Sequence, residues 1–142
     1  MISYLSTQLW VHDQDVALDF YTRKLGFVVR MDVTLPEMGG FRWLTVGPEH
    51  QPEISVVLMP IPGEPIMDDA TRAKVEDLMG KGFAGTLFLT TEDLEAEYAA
   101  LTARGVEFVE KPTDEPWGSD SSFRDPSGNH IRLTTPRPLP QP

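Results

Sequence analysis

The sequence predicts an α+β fold made of two βαβββ modules in a single chain. Three observations lead there. Apolar alternation of period two and apolar spacing of helical period follow one another in the same order twice. Leu9-Trp10-Val11, a helical stretch and Leu25-Gly26 are echoed by Leu87-Phe88-Leu89, a second helical stretch, and then Leu101 and Gly105. The stretch 121–135 reads as strand, tight turn, strand, and closes the second unit. Each unit is too small to hold a core alone, so the two are expected to pack by pseudo-twofold symmetry and share a cleft.

The elements follow in order. Residues 4–11 alternate, with Leu5, Thr7, Leu9 and Val11 on one face and Ser6, Gln8 and Trp10 on the other. Residues 13–25 read as a helix capped by Asp13 or Asp15, with Val16, Phe20, Tyr21 and Leu25 inward and Gly26 ending it. Strands at 27–35, 41–46 and 54–59 complete module one, which spans 1–60. A connector over 61–82 starts extended at Pro62, Gly63 and Pro65 and turns helical from 68 to 79. It reads equally as a lid or as a plain link between modules. Module two, 83–135, opens with a strand at 86–90. A helix follows, with Thr90 and Asp93 forming a capping box and Leu94, Tyr98 and Leu101 facing inward. A strand at 106–109 leads into a loop over 112–118 that carries Trp117. The hairpin turns at Asp125-Pro126-Ser127-Gly128-Asn129, residues suited to a tight turn by fixed φ, positive φ and side-chain bonds to backbone. The tail 136–142 is expected to be frayed and polyproline-like.

Composition narrows the function. The chain has 142 residues, 40% of them hydrophobic, and a net charge of −10. The acidity disfavours nucleic acid and anionic membranes as partners. No apolar run approaches the roughly 18 residues a membrane-spanning helix needs. There is no cysteine, hence neither a disulfide nor thiolate chemistry. The opening residues do not read as a signal peptide, and a cytoplasmic location is the default expectation.

Two stretches carry a resemblance. Val11-His-Asp-Gln-Asp-Val-Ala-Leu-Asp-Phe20-Tyr21-Thr-Arg-Lys-Leu25-Gly26-Phe27 resembles the opening signature of the vicinal oxygen chelate superfamily. This group holds glyoxalases, bleomycin-resistance proteins and extradiol dioxygenases. Phe123-Arg-Asp-Pro-Ser-Gly-Asn129-His-Ile-Arg-Leu133 is similar to its closing signature. The resemblance covers about residues 3–135. It implies paired βαβββ modules whose sheets form a U-shaped cup with helices outside, and a homodimer as the common assembly. In the family's enzymes the first and last strands of each module supply His, Gln or Glu to a divalent metal.

Carried onto this chain, those four positions fall on Ser6, Ser55 (Val57 if the register slips), Thr86 and Arg132. Two serines, a threonine and an arginine are not a ligand set for Zn²⁺, Ni²⁺, Mn²⁺ or Fe²⁺, so no cofactor is expected. The resemblance also implies metal-free members that sequester a drug. The expectation is therefore a metal-free binder of a small aromatic or anionic ligand. Trp10, Phe88, Trp43, Trp117 and Phe123 are its candidate aromatic walls, and Gln8, Thr90 and Arg132 its candidate polar contacts. Each aromatic reads equally as core, and Arg132 equally as an internal salt bridge. The alternative is a metal-dependent lyase or dioxygenase whose ligands come from His12, His50, Glu53 and His130. A metal-free enzyme with Arg132 as oxyanion stabiliser and a partner-binding module also stay open.

Overall fold

The computed structural model describes residues 1–139 and divides into two compact units, with the boundary between Glu76 and Asp77. That boundary lies inside the expected connector, within helix α2 (Asp69–Gly80). Each unit carries one four-stranded mixed sheet covered on one face by a helix, as expected of a βαβββ module.

The first unit runs β1 (Thr7–Val11), α1 (Gln14–Asp19), β2 (Val28–Leu35), β3 (Phe41–Gly47) and β4 (Val56–Pro60). The strand order is β1-β4-β3-β2, with β1 parallel to β4 and the other pairs antiparallel. Asp13 is the N-cap: its Oδ1 accepts the backbone N–H groups of Asp15 (2.8 Å) and Val16 (3.0 Å). The helix expected over 13–25 is α-helical only to Asp19. Residues Phe20–Lys24 form a π turn, in which the N–H of Leu25 reaches back to the carbonyl of Phe20. The wider turn seats both Phe20 and Tyr21 in the core, their rings 5.3 Å apart at 84°. The inner face is Ala17, Phe20 and Tyr21; Val16, expected inward, is exposed.

Pairing fixes the two faces of this sheet. Leu9 lies beside Leu58 and Val46 beside Val56, and all four are buried on the helix side together with Val11 and Leu44. The first strand is shorter than the expected 4–11, and Tyr4 and Leu5 are exposed. The fourth strand starts at Val56 rather than 54. Arg30, the extra residue of a bulge in β2, points its guanidinium at the carbonyls of Pro48, Gln51 (2.7 Å) and Ile54 (3.2 Å), which holds the β3–β4 loop.

The second unit runs β5 (Thr86–Thr90), α3 (Leu94–Ala103), β6 (Phe108–Glu115), β7 (Gly118–Arg124) and β8 (His130–Pro136), in the sheet order β5-β8-β7-β6. Asp93 is itself the N-cap of α3, accepting the N–H of Ala96 at 3.0 Å, so the capping box expected from Thr90 does not form. Thr135 of β8 completes the cap by accepting the N–H of Leu94 at 3.0 Å. The loop expected over 112–118 is instead strand as far as Glu115, with a turn at Pro116 and Trp117. Pro112 is tolerated because β6 is an edge strand and its register shifts between Glu110 and Thr113.

The 125–129 turn is a buried knot rather than a surface hairpin. Asp125 Oδ1 accepts the N–H groups of Ser127 and Asn129, both at 2.9 Å, and Asn129 Nδ2 donates to Asp125 Oδ2 at 2.9 Å. Asn129 Oδ1 accepts the N–H of Gly85 at 3.2 Å. Gly128 has φ +93°, and a Cβ there would lie 1.9 Å from the Met79 carbonyl oxygen. The tail begins ordered: the Arg137 N–H donates to the Trp117 carbonyl at 2.8 Å, and its guanidinium pairs with Asp114. Residues 140–142 of the expected polyproline-like tail lie outside the described residues. Among the described residues no helix is long and apolar enough to cross a membrane.

Candidate functional site

The face of the first sheet turned away from α1 is apolar and aromatic. Gln8 and Trp10 lie beside Val57 and Met59, Thr45 beside Val57, and Val33 beside Trp43. Continuing the β3–β4 register sets Met59 next to Trp43. One row across the sheet therefore reads Trp10, Met59, Trp43, Val33. The next reads Gln8, Val57, Thr45, Met31. Gln8, Met31 and Val33 are exposed, and Trp10, Trp43 and Met59 are half-buried. Thr45 is buried and its Oγ1 accepts the N–H of Met31 at 3.0 Å, so it serves the bulge. Sequence reading missed Met59, Met31 and Val33, although strict alternation along their strands places them on this face.

The corresponding face of the second sheet is polar. Phe88 lies beside Arg132, Thr86 beside His130 and Thr90 beside Thr134, with Ser122 across from Arg132 and Glu110 across from Ser122. Arg132 donates to Asp120 Oδ2 through Nε (3.1 Å) and Nη2 (2.5 Å), and to Glu110 Oε1 through Nη1 (3.4 Å). Asp120 also accepts from Thr134 Oγ1 (2.7 Å), Trp117 Nε1 (3.2 Å) and the N–H of Ser121 (3.0 Å). Ser122 Oγ donates to Glu110 Oε1 at 3.2 Å. Side-chain exposure grades outward, from 2% for Asp120 through 25% for Arg132 to 55% for Glu110.

Burial pushes the Asp120 carboxyl up. The donations from Arg132, Thr134 and Trp117, with the guanidinium charge, outweigh that and hold it below the usual carboxylate range. The bond to Asp120 in turn raises Arg132, against desolvation, so both groups stay charged.

The expected residues therefore separate. Gln8, Trp10 and Trp43 share the open face of the first sheet. Phe88 (79% exposed), Arg132 and Thr90 share that of the second. Trp117 sits in the β6–β7 turn and is tied to Asp120 by its ring N–H. Phe123 is not a wall of the open face. It pairs with Ile131 on the helix side, is fully buried, and meets Phe108 edge to face at 5.0 Å; Phe108 in turn meets Tyr98 of α3 at 4.7 Å. Sequence reading missed Asp120 and Glu110. The register of the 125–129 turn held the signal for Asp120, because pairing outward from it sets Ser122 opposite Arg132 and Asp120 on its diagonal.

The positions at which the family's enzymes bind metal do not suit an ion. Ser6 Oγ donates to the Ser55 carbonyl at 2.8 Å, and Ser55 Oγ donates to Ser6 Oγ at 3.0 Å. Thr86 offers one neutral hydroxyl, and Arg132 brings a fixed positive charge. Neutral hydroxyls and a guanidinium cannot replace carboxylate and imidazole ligands. Among the described residues no group of three or more His, Asp or Glu side chains is placed to hold a metal, and His12, His50, Glu53 and His130 form no such group.

Comparison with known proteins agrees with this architecture. The sequence profile of the Glyoxalase/Bleomycin resistance protein/Dioxygenase superfamily matches residues 3–133. YurT of Bacillus subtilis (strain 168), an uncharacterized protein, is 36% identical over 128 residues, which are 89% of this chain and 94% of YurT. The crystal structure of UcmS2 is similar at a TM-score of 0.83 and 43% identity, covering 94% of this chain and 98% of UcmS2. That of TnmS3, described as an antibiotic binding protein from Streptomyces sp. CB03234, is similar at a TM-score of 0.72 and 33% identity, covering 96% of this chain and 98% of TnmS3. Two βαβββ modules, both end signatures and a profile match over nearly the whole chain make this protein a member of the glyoxalase, bleomycin-resistance and dioxygenase superfamily.

Proposed function

We propose that this protein binds a small, flat aromatic molecule and releases it unchanged, without a metal. The observation that carries this reading is the row Trp10, Met59, Trp43, Val33 on the open face of the first sheet. It offers two indole rings with an aliphatic and a thioether surface beside them, and no formal charge. Ring stacking contributes about 0.5–1.5 kcal/mol per pair beyond the area buried. Gln8 supplies a polar contact at the edge of the same face, the minority of polar groups that fixes a ligand's orientation. On the second sheet Phe88 offers an exposed ring beside Arg132, and Trp117 is tied to the Arg132 cluster through Asp120. The likeness to TnmS3 supports a binding role, and the donor chemistry at the family's metal positions gives no support to a lyase or dioxygenase.

The same reading includes a homodimer and a cytoplasmic setting. Support for the first is the exposed apolar run Met1, Ile2, Tyr4 and Leu5 beside edge strand β1. Sedimentation equilibrium checks the first directly.

Quenching of intrinsic tryptophan fluorescence by 9-aminoacridine tests the binding reading. Trp43→Ala and Trp10→Ala are each expected to weaken binding about tenfold, which corresponds to about 1.4 kcal/mol. Unchanged affinity in both variants would remove this face from the account.

A further inference from the structure

We infer that the open face of the second sheet takes a neutral or cationic ligand rather than an anionic one, and that Asp120 sets this preference by neutralising Arg132. The inference rests on the binding reading above and concerns the second sheet's open face.

Arg132 is the residue that sequence alone offers to an anion. In the structure its Nε and Nη2 are both committed to one oxygen of Asp120 and its Nη1 to Glu110. Asp120 is ionised and almost wholly buried, so its charge cannot be diverted to solvent. A ligand carboxylate approaching Arg132 would therefore meet a guanidinium already paired, with Asp120 behind it.

Glu110 tips the balance further. Its Oε1 takes the Arg132 and Ser122 donors, while the side chain remains more than half exposed. Asp120, Glu110 and Arg132 together carry one negative charge in excess. The outermost of the three groups is the carboxylate, so a ligand meets that charge first.

Two further basic side chains on this face stand off. Arg124 and His130 are paired at the far end of β7 and β8, one repeat of the alternation away from Arg132, and the Arg124 guanidinium lies against Gly82. Phe88 sits beside Arg132 with its ring largely in solvent, so a planar ring can stack there next to a guanidinium whose charge Asp120 and Glu110 already offset. The net charge of −10 adds a long-range field of the same sign.

Three probes with one ring system test this by calorimetry: 9-aminoacridine as cation, acridone as neutral reference, and acridine-9-carboxylate as anion. The wild-type protein is expected to bind the cation at least about tenfold tighter than the anion, with acridone between. Glu110→Gln, at an exposed position, should cut that ratio severalfold. Asp120→Asn, checked for native near-ultraviolet circular dichroism, should release Arg132 and raise anion affinity above that of the wild type. Equal or tighter binding of the anion by the wild-type protein overturns the inference, as does a ratio unmoved by Glu110→Gln, while leaving the binding reading intact. Failure of all three probes to bind overturns both.

Discussion

A carboxylate with almost no exposure needs partners for its charge, and Asp120 has four: a guanidinium, a hydroxyl, an indole N–H and a backbone N–H. Removing Arg132 while leaving Asp120 strands a buried charge. Arg132→Met is therefore expected to cost about 3 kcal/mol of stability by urea denaturation, and the double variant Asp120→Asn/Arg132→Met to recover part of that loss. The pH dependence follows from the same group. The Asp120 carboxyl is held below its ordinary value in the folded state, so its contribution is fully present above the unfolded value of about 3.9. It is lost as pH falls from there through the folded value. A melting-temperature profile from pH 6 to 2 should show a steep acid limb in the wild-type protein and a shallower one in Asp120→Asn. At this scale the sequence was half legible. Alternation places Arg132 on the open face, yet whether it serves a ligand or an internal pair depends on a carboxylate twelve residues away. Phe123 shows the reverse failure: an aromatic residue beside a signature motif reads as a wall, but its pairing with Ile131 turns it to the helix side.

At the scale of elements, turns and caps fix the registers on which these faces depend. Gly128 combines a positive φ with a carbonyl oxygen where its Cβ would go, and that carbonyl belongs to Met79 at the end of α2. Gly128→Ala is expected to cost about 3 kcal/mol, from backbone strain and overpacking together. Asp13→Ala, which removes the cap of α1, should cost about 1 kcal/mol. Chemical denaturation of the two variants side by side ranks them. The elements themselves were legible because period two and helical spacing are strong signals where several apolar residues repeat. The 112–118 stretch was not, because Pro112 and Pro116 suppress a strand reading and only the bulge in β6 makes room for one. The π turn after α1 left no separate mark, since Phe20 and Tyr21 fit an ordinary helical face equally well.

Across the whole molecule, the twofold repeat is the feature most plainly written in the sequence, and the two sheets reproduce it strand for strand: β1-β4-β3-β2 and β5-β8-β7-β6. The ligand chemistry at the family's metal positions belongs to this scale too, because those positions are defined by the repeat. Adding Mn²⁺, Fe²⁺, Ni²⁺ or Zn²⁺ to metal-stripped protein is expected to leave the melting temperature unchanged; a stabilisation of several degrees with one of them would call for a different ligand set. The graded burial of the Asp120, Arg132 and Glu110 cluster has a consequence for how such a protein diversifies. On the first sheet, the exposed members of the open face, such as Gln8 and Val33, lie opposite the helix-packed core, so single changes there can retune recognition while costing little folding stability. On the second sheet the polar groups hold one another, and one substitution strands the next. Recognition of new molecules is therefore expected to evolve stepwise on the first sheet and only by concerted, paired replacement on the second.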